Sequence, residues 1–285
     1  MGLAINNTLF NIHTYIQTNK QTYKTMTLPN ITNKQKEILK LTFQFRYLNR
    51  IQIQKFLHHK DKKTINLWLK DLTLKDYLVR IYDPETFGKN TLPAVYYLSQ
   101  NGIRFLKTQE SYDKKSLLKF YREKNRSETF IADSQLLAGI CIDLKTRSID
   151  GISFDYVTQS DYKRPDSIFH FLSEFKTRLF FSKQEKNKKN FYLLDIFDTT
   201  LPKYRIRKRV KDYVAFLSNY EWIEYFKSTP RILFICQTKE LLIATKRFTK
   251  KFLVDPDSKN IHISFALEEE VKKQGVTAEI WEEIE

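Results

Sequence analysis

Two aspartates, Asp166 and Asp195, are the residues of this chain best suited to carry chemistry. Asp166 follows Pro165 and opens Ser167-Ile-Phe-His-Phe-Leu172; Asp195 lies inside Phe191-Tyr-Leu-Leu-Asp-Ile-Phe197. Both runs read as strands, and two strands of a hairpin project alternate residues from a common face. Hard carboxylate oxygens paired in this way suit Mg²⁺. A metal so held can orient a water and stabilise the charge of a phosphodiester under attack. Glu128, in the first turn of an expected helix, is a candidate third metal ligand, and Lys208 a candidate catalytic cation. A carboxylate among Leu193, Leu194, Ile196 and Phe197 is costly to bury alone. The competing reading pairs Asp195 with Arg207, Lys208 or Lys211 and makes Asp166 an ordinary strand-start residue.

The elements that position these acids lie in a second region, expected over residues 127–267. Glu128 to Leu144 reads as a helix with an apolar stripe, and Ile152–Val157 as a strand. Ser167–Leu172 and Phe191–Phe197 are the next two strands, with a Lys/Asn loop at 183–190 between them. Lys203 to about Phe226 is a long helix. Its first half carries Lys203, Arg205, Arg207, Lys208, Arg209 and Lys211, cations that oppose the helix dipole and therefore serve something other than helix stability. Arg231–Cys236 is continuously apolar, a central buried strand; Thr238–Leu253 is a helix and Ile261–Leu267 a last strand. Residues 268–285 read as an acidic tail.

The first region, residues 32–108, has a different rhythm. Thr32 or Asn33 caps a helix bearing Ile38, Leu41, Phe45 and Leu48. Asn49 caps a second, and Asp61 a third whose inner face is Ile65, Trp68, Leu69 and Leu72. Tyr77–Tyr82 and Ala94–Leu98 then form a hairpin about a turn at Asp83-Pro84 and Phe87–Asn90. Three helices followed by a hairpin resemble winged-helix DNA-binding domains, whose third helix enters the major groove. That helix would present Lys62, Lys63, Asn66 and Lys70, with Arg80 and Lys89 on the wing. Asn suits adenine, and the cations suit phosphates or base edges. Residues 1–31 read as a polar arm or one short helix, and the highly charged residues 109–126 as a linker.

Composition agrees with a polyanion partner. The chain has 285 residues, 41% of them apolar, and a net charge of +16, so it can bury a core while repelling cations. Residues 1–110 hold about ten more basic than acidic side chains and the remainder about six more, as phosphate neutralisation by the first region requires. Cys141 and Cys236 sit in apolar runs and read as core thiols of a reducing cytoplasm. No run approaches a membrane span and no secretory leader is evident, so a cytoplasmic site without a membrane partner is expected. The lone His170 and the pair His58-His59 have no metal-ligand spacing, and Trp68, Trp222 and Trp281 read as packing residues.

On these residues the chain resembles two groups. Residues 125–220 are similar to the PD-(D/E)xK nuclease superfamily, and residues 32–250 to the replication-relaxation family of plasmid and mobile-element proteins. Pro165-Asp166 matches the first element of the latter pattern; Asp195, Thr200 and Pro202 match the second; Lys208, Arg209 and Tyr213 lie in its basic helix. The resemblance implies a winged helix followed by a restriction-endonuclease-like α-β-β-β-α-β domain, of mixed α+β or α/β class. It also implies an accessory role in replication, relaxation or mobilisation, with a relaxase, a replication initiator or a second copy as protein partner. Phe197 stands where the nuclease pattern has Lys and the family pattern an acid, and strand alternation sets it beside Asp195. The expectation is therefore a double-stranded-DNA-binding protein without nuclease activity and without a cofactor. Arg207 and Lys211 are expected to join the DNA-binding residues as a second phosphate-facing surface; the alternatives are a Mg²⁺-dependent nuclease using Asp166, Asp195 and Lys208, and a winged-helix transcriptional regulator.

Overall fold

Capping residues punctuate the chain as the sequence suggests. In the computed structural model, residues 28–86, 88–109, 112–149, 151–162, 167, 169, 171–172, 177–218, 223, 226, 228–253 and 261–284 are described. The expected arm falls outside them except for its last four residues, and so do Arg164, Pro165, Asp166, His170 and Trp222.

Thr32 caps α1 (Asn33–Phe45) in a reciprocal box with Gln35, and β1 (Leu48–Asn49) follows. Asn49 forms the same box with Gln52 to start α2 (Arg50–Phe56), and Asp61 caps α3 (Lys62–Leu74). Strands β2 (Leu78–Ile81) and β3 (Val95–Leu98) complete a sheet of order β1-β3-β2, all antiparallel. This is the winged-helix arrangement, with the wing between Ile81 and Val95. Ser99 closes it. Its hydroxyl donates to the Asp76 carbonyl and accepts the Gly102 N–H at 3.2 Å to cap α4 (Gln100–Lys107). Gly102 is required there because any Cβ would collide with the Tyr77 carbonyl.

The segment expected as a charged linker is built into the fold. It forms α5 (Lys114–Leu117) and a 3₁₀ helix (Leu118–Asn125). Leu117 and Phe120 are buried among its charges, and Phe120 stacks on Phe43 of α1 with ring centroids 5.0 Å apart. Burial of these two apolar side chains holds the segment down. Glu123 is fully buried as a side chain, paired with Arg46 just beyond α1, while its carbonyl accepts the Tyr47 hydroxyl at 2.6 Å. The Arg46 guanidinium also lies over Phe120 and Phe130.

Ser127 caps α6 (Glu128–Thr146), which packs on α1, α2 and β1 as well as on β4 (Ile152–Thr158). Gln44 Nε2 donates to Asp161 at 2.8 Å and Gln52 Nε2 to the Gln135 carbonyl at 2.7 Å. Thr32–Glu285 therefore forms one compact unit. Then come β5 (Leu179–Glu185), β6 (Lys188–Phe197), α7 (Lys203–Ser218), β7 (Arg231–Cys236), α8 (Lys239–Lys250), β8 (Ile263–Leu267), α9 (Glu268–Gln274) and β9 (Glu282–Glu283). The six strands lie in chain order β4 to β9; β6, β7 and β8 are mutually parallel and the outer pairings antiparallel.

The expected α-β-β-β-α-β order is present, but its second strand lies elsewhere in the chain than the sequence pattern suggests. The partner of β6 is Leu179–Glu185, which occupies part of the supposed Lys/Asn loop; Ser167, Phe169, Phe171 and Leu172 are not in a strand. The acidic tail is also corrected: α9 and β9 belong to the unit, with Val271, Val276 and Ile280 buried. One apolar cluster joins Leu193 and Phe197 of β6 to Ile206, Val210, Tyr213 and Phe216 of α7, and to Phe234 and Phe265.

Candidate nucleic-acid interface and buried carboxylate cluster

The outer face of α3 is set by what its inner face buries. Ile65, Leu69 and Leu72 are fully buried, so Lys62, Lys63, Asn66, Leu67 and Lys70 face solvent. Trp68 is half-buried and meets His59 edge-on at 5.1 Å. Asp61 accepts from the Lys63 and Thr64 amides, each at 2.9 Å, and from the Thr64 hydroxyl at 2.5 Å. Hydrogen bonds from Thr64 and Lys63 lower its carboxyl to about 2. Among the described residues no carboxylate pairs with Lys62, Lys63 or Lys70.

On the hairpin, Arg80 is exposed on β2 with its guanidinium 4.5 Å from the Tyr82 ring. Asp83 holds the wing turn by accepting from the Glu85 and Thr86 amides, and the Tyr82 hydroxyl donates to the Asn90 carbonyl. Lys89 is engaged: its Nζ lies 3.1 Å from Glu128. Two residues assigned to separate sites by sequence thus meet each other. Glu128 is 90% exposed in this pair and tied to the wing.

The α6 acid that approaches Asp195 is Asp133. Asp195 is fully buried on β6, with Arg209 Nη1 of α7 at 3.2 Å from each of its carboxylate oxygens. Arg178, immediately before β5, brings Nε to 3.9 Å from Asp195 and Nη2 to 3.4 Å from Asp133. The chain therefore enters the strand beside β6 from a cation next to Asp195. Burial raises the Asp195 carboxyl, and Arg209 and Arg178 pull it back. Burial likewise pushes Asp133 up to about 6; Arg178 opposes that, and the charges of Asp198, Glu268 and Asp195 add to it. The Tyr213 hydroxyl donates to Thr177 Oγ1 at 3.0 Å below the same cluster.

Among the described residues, Asp195 is taken up by two arginines and a backbone amide, while Asp166, the other expected metal ligand, lies outside them. Both oxygens of Asp195 face Arg209, and the Ile196 amide donates to one of them at 2.9 Å. Phe197 shares the α7-facing cluster with Leu193, and the Arg209 guanidinium lies 6.0 Å from its ring. Asp198 is spent locally, accepting from the Thr200 and Leu201 amides at 2.7 and 3.1 Å. Lys208 points out of the cluster and pairs with Asp212 at 3.0 Å. Arg207 and Lys211 are exposed, over the rings of Phe248 of α8 and of Phe252 just beyond it at 5.2 and 5.1 Å. Among the described residues no three His, Cys, Asp or Glu side chains converge on a metal position. None of the three cations named as partners for Asp195 reaches it; Arg209 does. Its helical phase, one turn from Ile206 and Tyr213, was the available signal.

No family model matches the chain. No curated protein matches it either. Among solved structures, the adhesin competence repressor AdcR of Streptococcus pyogenes is 18% identical, covering 46% of this chain and 89% of that one, with a TM-score of 0.24. A mutant of ZitR from Lactococcus lactis is 16% identical, covering 50% of this chain and 99% of that one, at a TM-score of 0.25. The winged-helix arrangement rests on its own element order and strand pairing. Among the described residues no helix is long and apolar enough to cross a membrane.

Proposed function

We propose that this protein binds double-stranded DNA through α3 and its wing, and acts as an accessory factor in replication, relaxation or mobilisation of a plasmid or mobile element, without cutting DNA. The observation that carries the DNA reading is the solvent face of α3, where Lys62, Lys63, Asn66 and Lys70 stand together on the helix that a winged helix inserts into the major groove. Arg80 on the hairpin extends the same chemistry, and Lys89 joins it once phosphate displaces Glu128. Arg207 and Lys211 on α7 form a second cationic stretch with affinity for the same polyanion. The accessory role follows the family resemblance of Asp195, Thr200 and Pro202 and the basic helix after them. Arg178 and Arg209, lying against Asp195, support a binding rather than a cleaving role.

Fluorescence anisotropy on a 30-base-pair duplex, titrated with salt, tests the DNA reading. Affinity is expected to fall steeply with salt, and Lys62→Ala with Lys63→Ala to lower the log–log slope by about 0.9 for each phosphate left without its lysine. Binding that is absent or indifferent to salt sinks it. The accessory role is tested in cells carrying the element: disrupting the gene should lower element copy number or transfer while transcript levels hold. Altered transcription alone would favour a regulator.

A further inference from the structure

The most outward position of α3 is occupied by a leucine. At 100° per residue, Leu67 lies roughly 160° from Ile65 and Leu69 and roughly 140° from Leu72, so it points away from the body of the protein. It is 65% exposed. Lys63 stands one turn before it, Lys70 nearly one turn after it, and Asn66 beside it, all exposed. Leu74, 76% exposed, continues the line at the end of the helix.

An isolated surface leucine needs no explanation. This one sits at the crest of a cationic helix, where a charged or amide side chain would serve phosphates and solvent equally well. An apolar side chain there gains only if the surface it meets is apolar. A second copy presenting the same helix would set Lys63 and Lys70 against their own kind, which like charges oppose. The floor of a DNA major groove, by contrast, is walled by phosphates that take the lysines. It also carries one apolar group, the 5-methyl of thymine.

We infer that Leu67 packs against thymine 5-methyl groups, with Asn66 on the neighbouring adenine edge, so that α3 prefers A·T base pairs through methyl contact. The inference rests on the duplex-binding reading and adds to it a specificity-determining residue and a substrate class. Asn66 can pair with the N6 and N7 edge of adenine, and residues 66 and 67 differ by one step around the helix, which lets them address adjoining bases.

The test compares an alternating dA·dT duplex with the alternating dA·dU duplex, identical except for the 5-methyl, at one fixed salt concentration. The full chain is expected to bind dA·dT tighter by about three- to fivefold for each methyl covered. Leu67→Ala should bring the two affinities together while leaving the salt slope and the thermal midpoint unchanged. Equal affinity of the unaltered chain for both duplexes overturns the inference and leaves duplex binding standing. A preference that survives in Leu67→Ala assigns the methyl contact elsewhere and also overturns it. Self-association of the chain that Leu67→Ala abolishes would make the residue an interface between copies instead. Failure to bind either duplex removes the parent reading along with it.

Discussion

Arg209 Nη1 sits 3.2 Å from both carboxylate oxygens of Asp195, across the gap between α7 and β6. The pair is buried on the carboxylate side, so removing one partner strands the other. Asp195→Ala is expected to cost about 3–5 kcal/mol, measured by chemical denaturation. The double change Asp195→Leu with Arg209→Met should recover much of that, because an apolar pair carries no desolvation penalty. A single Asp195→Ala that leaves stability untouched would mean that the pair is not formed.

Asp133 makes stability depend on pH in an unusual direction. Its carboxyl is raised to about 6 in the folded protein, above its value of 3.8 when unfolded. Between about pH 4 and 6 the folded state holds a proton that the unfolded chain has released, so this group costs stability as pH rises through that window. Asp133→Asn stays neutral throughout. Relative to the unaltered protein, the variant should gain up to about 3 kcal/mol between pH 4 and pH 7 in denaturation series at matched ionic strength. A difference that is flat with pH would show that Asp133 titrates normally. Asp61, lowered to about 2, acts in the opposite sense in both proteins and cancels in the comparison.

Supercoiled plasmid incubated with the protein in Mg²⁺ or Mn²⁺ is expected to remain intact on a gel. The cations against Asp195 occupy the position where a hard metal would need its oxygens. A metal-dependent nick that disappears in Asp195→Ala would restore the nuclease reading.

Glu123 should behave as a keystone. It receives Arg46, with Arg126 Nε at 3.7 Å, and its own side chain is fully buried. Burial lowers the Arg46 guanidinium below its ordinary value while the Glu123 charge opposes the shift, so that cation depends on its partner. Glu123→Ala is expected to destabilise by about 3 kcal/mol or more. The effect should appear in one cooperative transition seen alike by fluorescence and circular dichroism, since residues 32–285 form one unit. Two separated transitions would contradict that unity.

Much of this architecture was legible because local signals agreed with tertiary ones. Asp61 caps α3 as its position suggests, and β7 spans Arg231–Cys236, where an unbroken apolar run admits little else. Strand β5 is hard to see in the sequence because Leu179-Phe-Phe-Ser gives way to Lys183-Gln-Glu, so neither alternation nor a full apolar run marks it. The segment after Gln109 was hidden by its charge: Leu117 and Phe120 are the anchors, outnumbered by lysines. The cluster around Asp195 was legible only in part. Asp195 itself stood out as an acid in an apolar run, but Arg178 lies 17 residues before it at the entry to an unrecognised strand, and Asp133, which shares Arg178, lies 62 residues before it on a helix. Only assembly of the sheet brings such residues together.

The last strand bears on how these molecules coexist at high concentration. β9 is only Glu282–Glu283, laid antiparallel on Ser264 and Phe265 of β8. Without it, β8 would offer a row of vacant backbone donors and acceptors over apolar side chains, the usual seed of edge-to-edge aggregation. With it, the margin is a strand of only two charged residues, too short and too polar to template another chain. On a chain of net charge +16, the acids of this margin differ in sign from most of the protein's charge, and Glu282 is tied to Lys246 of α8 at 2.9 Å, which fixes the closing strand to the body.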